Sequence, residues 1–560
     1  MEKDWILPEE KKKSDIIKAI LEARGIIALE DVAEFLSDKP SLTHDPFLMK
    51  GLREAATRIL KAATDGTRIV IYGDYDADGI CSVSLMMEIL GKLSGHISYY
   101  IPSRFDEGYG LNKEALKSIK EAGGELVITV DCGSVSYEEG IFAEEIGLEL
   151  IVTDHHNLND RPVNCLLVNP KQADCDYPER ELSGCGVAFK LVQGLARLSE
   201  ELGEESISKS DLNRVLDLVA IATIGDIVPL TGENRTLVKY GLKSLNADRR
   251  PGLGELIRGI SLKPGLVTSD NVAYGVVPHL NAAGRMMDAE TGVSLLLSQE
   301  EEERGRAVEA LIKANRDRRK TQEDILQATL QAAEEEDQEQ WILILDAGDA
   351  HEGITGIVAG KIKESYHKPT VIVTDSGDGL LKGTGRGIEG VDLYALLTKA
   401  QDLFIKFGGH PGACGFLMER RDLPELRRRL NAAAEELYQF DSTVFRPKLH
   451  IDAVIRPEDL DRELIEALER MEPFGQKNPK PVFCMREVVP ERPVFLGDEG
   501  RHARFRAGGV DAILFQQASA FRDHLTAGRP LDLAGHLEFN RWNGKEKIQF
   551  VTTDLRWYNE

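Results

Sequence analysis

The spacing of apolar positions changes along this chain, and each change marks a candidate boundary. Near the start, Ile16, Ile17, Ile20 and Leu21 recur at helical spacing and predict a small helical lead-in. From 68 to 170, short apolar runs alternate with amphipathic segments. Strands are expected at 68–72, 97–101, 126–130, 148–153 and 166–168, with helices at 80–93, 113–122 and 137–146 between them. That alternation predicts a mainly parallel sheet covered on both faces. Between 300 and 335 an intermittent apolar face (Val308, Leu311, Ile312, Ile325, Leu326, Leu330) among many charges predicts one helix bridging two lobes. At 1.5 Å per residue it would span about 50 Å. A second α/β unit follows, with strands at 341–345 and 369–374 and a helix at 356–365. From about 445 the pattern shortens to strands at 482–486, 493–496, 503–506, 512–515, 532–538 and 547–552, with GDEG and NRWNGK as turns. Several short strands in such a stretch predict a small closed barrel.

Composition changes this picture little. The chain has 560 residues, 42% of them hydrophobic and 29% charged, which is ordinary for a multidomain globular protein. No apolar run approaches the roughly 18 residues of a membrane span, and MEKDWILPEEKKK carries no secretory h-region. Seven scattered cysteines without a CxxC pair fit a reducing cytoplasm rather than a disulfide framework or a zinc site. The net charge of −25 argues against a polyanionic partner as a global rule. However, from residue 441 onward 18 Lys/Arg stand against 20 Asp/Glu, so a local basic groove is compatible with it.

The chemistry concentrates in IVIYGDYDADGICS, 69–82. A buried β-branched run stops, and Asp74, Asp76 and Asp78 follow at alternate positions before a helix begins. Carboxylates crowded onto a strand end repel one another unless a cation sits among them. Similar deposits follow: Asp131 after LVITV, Asp154-His155-His156 after LELIVT, and Asp226 after LVAIATIG. In open α/β sheets ligands sit beyond the carboxyl ends of the strands, which is where these residues fall. Carboxylates with imidazole and without thiolate suit Mn²⁺ or Mg²⁺, and this many negative charges call for more than one ion. Two close metals are a usual device for phosphoester hydrolysis. Arg104 (PSRFDEGYG), Arg285 (NAAGR) and Arg386 (GTGRG) are candidate phosphate clamps in glycine-rich loops. In the C-terminal strands Arg501, His502, Arg504, Arg506, Phe539, Arg541, Trp542 and Lys545 interleave cations with rings, as a single-strand groove would.

GDYDADG, VDCG, TDHHN and IATIGDIVPL resemble the four motifs of the DHH phosphoesterase superfamily. Within it the chain is most similar to the RecJ family of single-strand-specific exonucleases, also through NPK, LSGCGVAFK, PHLNAAGRM, GITGIVAGKI, GTGRG, FGGHPGACGF and EPFGQKNPKPVF. The resemblance implies two α/β lobes (DHH and DHH-associated) joined by a long helix, plus a C-terminal OB-like β-barrel. The expected domains are 1–50 helical, 51–299 DHH catalytic, 300–337 connecting helix, 338–440 DHH-associated and 441–560 OB-fold. Asp76 and Asp131 would bind one metal; Asp78, Asp131, His155 and Asp226 would bind the other. His156 would contact the scissile phosphate or the attacking water, and Asp74 would support. Gly408, Gly409 and His410 match the GGH signature expected to touch substrate. One position departs from the pattern. The residue four before Asp76, often a metal-binding His in the superfamily, is Tyr72, which predicts a first site weakened or completed by water.

The implied activity is two-metal hydrolysis of single-stranded DNA, 5′ to 3′, to 5′-mononucleotides, in DNA repair and recombination. A cytoplasmic monomer is expected, with a single-strand-binding protein and a helicase as partners. One rival is a DHH phosphodiesterase of short oligonucleotides or cyclic dinucleotides, which would not need a strand-gripping barrel. The other is a catalytically impaired single-strand-binding scaffold, which the complete set of acidic and histidine positions argues against.

Overall fold

The computed structural model describes residues 3–103, 110–203, 206–335, 340–350, 352–542 and 545–559. By its internal contacts it divides into two units, the first of 9–315 with 452–560 and the second of 1–8 with 316–451.

The first α/β sheet has five parallel strands: β1 (Ile69–Gly73), β2 (Ile97–Tyr100), β3 (Leu126–Val130), β4 (Glu149–Thr153) and β5 (Leu166–Val168). They are ordered β2-β1-β3-β4-β5. β1 and β3 are buried along their whole length, which is why they read as unbroken apolar runs. Helices Leu52–Asp65, Ala77–Leu90, Gly184–Glu201 and Leu216–Gly225 contribute to the large core on one face. Tyr72, Leu116, Val127 and Val152 form a smaller one on the other.

This core contains a buried ion pair. Lys190 donates to Glu233 Oε1 at 2.9 Å and to the His44 carbonyl at 2.8 Å, and Tyr177 OH donates to Glu233 Oε2. Both partners are fully shielded from solvent. Removing one leaves a buried charge uncompensated, so Lys190→Met should destabilise the protein by roughly 3–5 kcal/mol. The paired change Lys190→Met with Glu233→Gln should recover most of that loss. Urea-denaturation midpoints of the two variants check this.

The second unit holds β6 (Leu343–Asp346), β7 (Thr370–Asp375), β8 (Leu380–Arg386), β9 (Phe404–His410) and β10 (Ala413–Glu419), in the order β9-β10-β8-β7-β6. Only the β6–β7 pair is parallel. β8, β9 and β10 are additions to the expected pattern. GTGRG and GGH lie on these strands rather than in loops. A Cβ on Gly383 would stand 2.1 Å from the Phe416 ring, so the glycine makes room for a cross-strand aromatic. The helix Glu301–Glu335 belongs to the first unit at its start and to the second at its end.

The C-terminal sheet has seven strands: β11 (Ala453–Ile455), β12 (Phe483–Val488), β13 (Glu491–Leu496), β14 (His502–Ala507), β15 (Val510–Leu514), β16 (Leu531–Trp542) and β17 (Lys545–Trp557). Their order is β11-β12-β16-β17-β15-β14-β13, with no ladder joining the two ends among the described residues. The expected closed barrel is therefore an open, strongly connected sheet. NRWNGK is mostly strand, because β16 and β17 run on to Trp542 and from Lys545; Asn543 and Gly544 lie outside the described residues. The N-terminal helices are not a detached lead-in. Ile16, Ile20, Leu21 and Phe35 pack into the core of this sheet. The buried guanidinium of Arg235 ties the sheet's leading segment to the catalytic domain, donating to the carbonyls of Phe35, Arg470, Glu472 and Pro473.

Candidate metal centre

The loop after β1 is shaped by two close approaches. A Cβ on Gly73 would meet Val83 at 2.2 Å, and one on Gly79 would meet the Asp74 carbonyl at 2.2 Å, so helix Ala77–Leu90 starts directly against the strand end. Asp76 caps that helix, accepting the N–H groups of Asp78 at 2.9 Å and Gly79 at 3.1 Å. The Asp78 carboxylate is buried and accepts N–H groups of Gly184 at 2.8 Å and Cys185 at 2.7 Å, at the start of helix Gly184–Glu201. That positive helix end holds an anion in place.

Asp131 follows β3 with φ of 63°, in the left-handed region that Asp tolerates better than most side chains. Its Oδ1 lies 3.1 Å from His155 Nε2. His155 Nε2 is 4.0 Å from Asp78, and its Nδ1 is 3.6 Å from Asp226, the C-cap of helix Leu216–Gly225. A carboxylate at a helix C-terminus is disfavoured without a nearby cation.

Asp154 accepts N–H groups of Ser134 at 2.9 Å, His155 at 2.7 Å and His156 at 3.2 Å. It also accepts a hydrogen bond from His156 Nδ1–H at 2.7 Å, leaving Nε2 as that ring's outward donor. Asn169 fixes the same turn, donating to the His156 carbonyl and to Ser134 Oγ, both at 2.9 Å.

Ligand atoms of Asp74, Asp76 and Asp131 lie within 4.8 Å of one another, as do those of Asp78, His155 and Asp226. Asp131 also groups with Asp154, His155 and His156 at the same limit. Asp131 Oδ1 and His155 Nε2 are buried and face each other at 3.1 Å outside hydrogen-bonding geometry, with no hydrogen bond to any other group, a costly arrangement that a cation would relieve. Hard oxygen donors with one imidazole fit Mn²⁺ or Mg²⁺.

Electrostatics agree. Burial, then the neighbouring aspartates, pushes Asp78 and Asp131 well above the usual carboxylate range. Burial and Asp76 push Asp226 up to about 7. Burial, with His156 nearby, brings His155 down to about 4. Burial also opposes the charged form of His156, but the Asp154 bond and surrounding carboxylates outweigh it and raise the ring to about 9. Asp154 is held below the usual carboxylate range: burial opposes this, and the His156 hydrogen bond prevails.

It follows that the metal-free centre holds protons at neutral pH that a cation must displace. Mn²⁺ binding at pH 7 should release protons, seen as a calorimetric enthalpy that changes with buffer ionisation enthalpy. Affinity should fall as pH drops below 7. Unfolded aspartates ionise near 4, whereas these folded ones keep their protons to higher pH. Their contribution to metal-free stability should therefore be fully present below about 4 and be lost as pH rises through their raised folded values, about 7 for Asp226. A buffer-independent enthalpy would count against this assignment.

Residues 68–223 match the DHH family N-terminal domain, 339–436 the DHHA1 domain and 451–554 the RecJ OB domain. The single-stranded-DNA-specific exonuclease RecJ of Bacillus subtilis is 35% identical over 98% of this chain and 69% of that protein. The RecJ of Salmonella typhimurium is 32% identical over 90% of both chains. This chain belongs to the RecJ family. The crystal structure of RecJ from Thermus thermophilus in complex with Mn²⁺ superposes with a TM-score of 0.81 at 30% identity, covering all of this chain and 80% of that one. Its Mg²⁺ complex gives 0.76 at 29% identity, with 79% of that chain covered.

Against this RecJ framework the expected site residues divide. The structure brings Asp74, Asp76, Asp78, Asp131, His155, His156 and Asp226 into one centre. A carboxylate oxygen of Asp74 lies within 4.8 Å of ligand atoms of Asp76 and Asp131. Tyr72 is not a failed ligand: it points to the opposite face, where its hydroxyl donates to the Gly110 carbonyl at 3.0 Å and its ring stacks on Tyr100.

Arg104 lies outside the described residues. Arg285 sits on helix Val277–Met286, not in a loop. Arg386, Ala413 and His410 are register neighbours across β8, β10 and β9, so two separate sequence signals meet at one sheet end. Gly408 pairs with Gly415. Gly409 has φ of 147°, and a Cβ there would strike the Ala413 carbonyl. His410 Nδ1 accepts the Gly412 N–H at 3.2 Å, so its Nε2 carries the proton.

On the RecJ OB domain, Arg504 and Arg506 project from one face of β14. Arg504 pairs with Asp511 at 3.2 Å, and Arg506 donates to the Gly509 carbonyl at 2.7 Å. Arg541 on β16, separated from β14 by β17 and β15, is held between Glu469 at 2.7 Å and Glu546 at 2.9 Å. Lys545 is exposed at the start of β17, and Trp542 ends β16.

Sequence reasoning missed Asp154 as the orienter of His156. It also missed Asn281, whose Oδ1 accepts the Ala77 N–H at 2.8 Å and braces the metal loop. Both sat in quoted motifs, TDHHN and PHLNAAGRM, but nothing in a linear pattern tells a supporting residue from a ligand.

Proposed function

We propose that the chain is a metal-dependent exonuclease that hydrolyses single-stranded DNA from its 5′ end and releases 5′-mononucleotides. The observation that carries this reading is the buried acidic–imidazole centre. Its Asp131 Oδ1 and His155 Nε2 lack hydrogen bonds while sitting among carboxylates that repel one another.

Asp74, Asp76 and Asp131 would hold one Mn²⁺ or Mg²⁺, and Asp78, His155 and Asp226 the other, with Asp131 shared between them. Bound there, the ions supply Lewis acidity and a low-pKa water. The chain's own groups do the positioning. The amides of Gly184 and Cys185 keep Asp78 aimed, and Asp154 keeps His156 protonated with Nε2–H outward. That imidazolium donates to a non-bridging oxygen of the scissile phosphate and offsets the charge that builds there. Arg285, Arg386 and His410 would bind backbone phosphates, and Arg504, Arg506, Trp542 and Lys545 would contact the strand on the OB domain. The functional divisions would be 51–299 for catalysis, 338–440 for substrate binding and 441–560 for strand capture. The setting would be DNA repair and recombination in the cytoplasm, where a monomer meets strands exposed by a helicase or coated by a single-strand-binding protein.

Incubation with 5′- and 3′-labelled single strands, duplexes, dinucleotides and cyclic dinucleotides in Mn²⁺, Mg²⁺ or EDTA tests the proposal. The 5′ label should appear first as a mononucleotide, from single strands only and not in EDTA. Cleavage of duplex in preference to single strands, or of dinucleotides alone, would overturn it.

A further inference from the structure

Two large apolar side chains stand in solvent on segments that lead into the metal centre: Ile227 directly after Asp226, and Tyr274 in the turn that precedes the helix carrying Asn281. Ile227 directly follows Asp226, is 70% exposed, and has φ of 57°. A β-branched side chain in the left-handed region is strained, and glycine or asparagine would adopt it more readily. Its surroundings are anchored: Asp226 N–H donates to the Ala222 carbonyl at 2.9 Å, Val228 is buried, and Leu230 N–H donates to the Gln476 carbonyl at 2.8 Å. The backbone therefore holds this side chain outward against both conformational preference and the hydrophobic effect. Folding alone gives no reason for an isoleucine there.

Tyr274 is 77% exposed and lies in the π-helical turn Val272–Val276, an irregularity common at functional sites. The turn continues into helix Val277–Met286, where the half-buried Pro278, Asn281 and Arg285 share its stripe at helical spacing. Asn281 is the residue that braces the loop carrying Asp76 and Asp78. At 1.5 Å per residue, Tyr274 stands about 10 Å along the axis from it. The two segments adjoin: a Cβ on Gly225, two residues before Ile227, would lie 3.2 Å from Val277, three residues after Tyr274.

We propose that Ile227 and Tyr274 form an apolar rim that grips the nucleobases of the substrate strand next to the scissile phosphate. This rests on the exonuclease reading above and adds what its metal centre lacks. Carboxylates, metal ions and His156 address phosphates, whereas a phenol ring offers a face on which any base can stack and an aliphatic branch an apolar surface against which the base packs. The rim carries no hydrogen-bond code, as suits an enzyme that must accept each nucleotide in turn.

The test compares wild type with Tyr274→Ala, Tyr274→Phe and Ile227→Gly on a 5′-phosphorylated, 3′-labelled oligothymidylate. Turnover is read in Mn²⁺, and strand binding by fluorescence anisotropy in Ca²⁺. Stacking of the usual strength corresponds to about a 5- to 150-fold loss per base. Tyr274→Ala and Ile227→Gly should raise KM and weaken binding within that range, with KM carrying more of the loss than kcat. Tyr274→Phe should stay near wild type. On a strand whose first few nucleotides are abasic, all four proteins should bind alike, because the phosphates remain and the stacking faces are gone. Variants that bind the normal strand like wild type, or that lose as much on the abasic strand, would overturn the rim. If wild type binds strands but cuts none with any metal, the exonuclease reading fails, while the Ca²⁺ comparison still judges the rim.

Discussion

Replacing Asp131 with asparagine is expected to lower kcat by about 10³-fold or more, the equivalent of several kcal/mol of charge stabilisation at the reacting phosphate. The protein should stay folded. Asparagine tolerates the left-handed conformation that residue 131 adopts, so backbone strain does not rise. Alanine at this position would confound the result by adding strain. Asp131 is the carboxylate common to both ligand neighbourhoods, within reach of Asp74 and Asp76 on one side and of His155 on the other. Its loss should therefore weaken Mn²⁺ binding at both, not one. In the absence of metal the effect on stability reverses. A buried carboxyl surrounded by Asp78, Asp76, Asp74 and Asp154 is a liability, and the neutral amide removes it. The melting temperature of metal-free Asp131→Asn should exceed that of wild type, while the rise produced by Mn²⁺ in wild type should largely disappear. Melting curves with and without Mn²⁺, alongside single-turnover rates, measure both halves. A variant that loses activity yet keeps the full Mn²⁺-induced rise would show that Asp131 does not hold metal.

Asp154→Asn should produce the second large effect through His156. The charged Asp154 lifts that ring to about 9. With a neutral partner the pKa should fall toward the ordinary value near 6.5. The sign is set by which form works: the imidazolium exists below its pKa, so wild type keeps it through neutral pH and the variant loses it between about 6 and 7. The variant should therefore be close to wild type near pH 6 and fall behind by about 10- to 100-fold near pH 8, the usual cost of losing such an orienting partner. NMR titration of His156 in metal-free protein reads the pKa directly. Because Asp154 acts through His156, the double variant Asp154→Asn with His156→Ala should be no slower than His156→Ala alone. Additive losses would give Asp154 a separate task.

The parts of this fold that were legible in the linear pattern share one property: burial on both faces. β1, β3 and β4 appear as unbroken β-branched runs because parallel strands covered by helices have no polar side to show. β8, β9 and β10 were not legible. Their glycines accommodate Phe416 and the close backbone at Ala413, so they lack the side chains by which strands are recognised. The hairpin β16–β17 is longer than its apolar core suggests, because its far end is exposed and charged. Whether the C-terminal strands close or stay open depends on pairing between distant edges, to which local alternation is blind.

The sequence by itself determined the chemistry and the lineage. It set the acidic and imidazole residue types, their deposition at the ends of buried runs, and the motifs that the RecJ family shares. Only the tertiary structure decided how those groups divide. Asp154, written next to two histidines, turns inward to four donors and becomes the support for His156. Asp74, which reads as a supporting residue, joins Asp76 and Asp131, and Tyr72 turns to the opposite face. Ile227 and Tyr274 are exposed in the fold, which their apolar side chains alone do not reveal. The reason is the same in each case. A side chain's role follows from which groups surround it, and those groups come from helices and strands far away in sequence, whose packing no local pattern records.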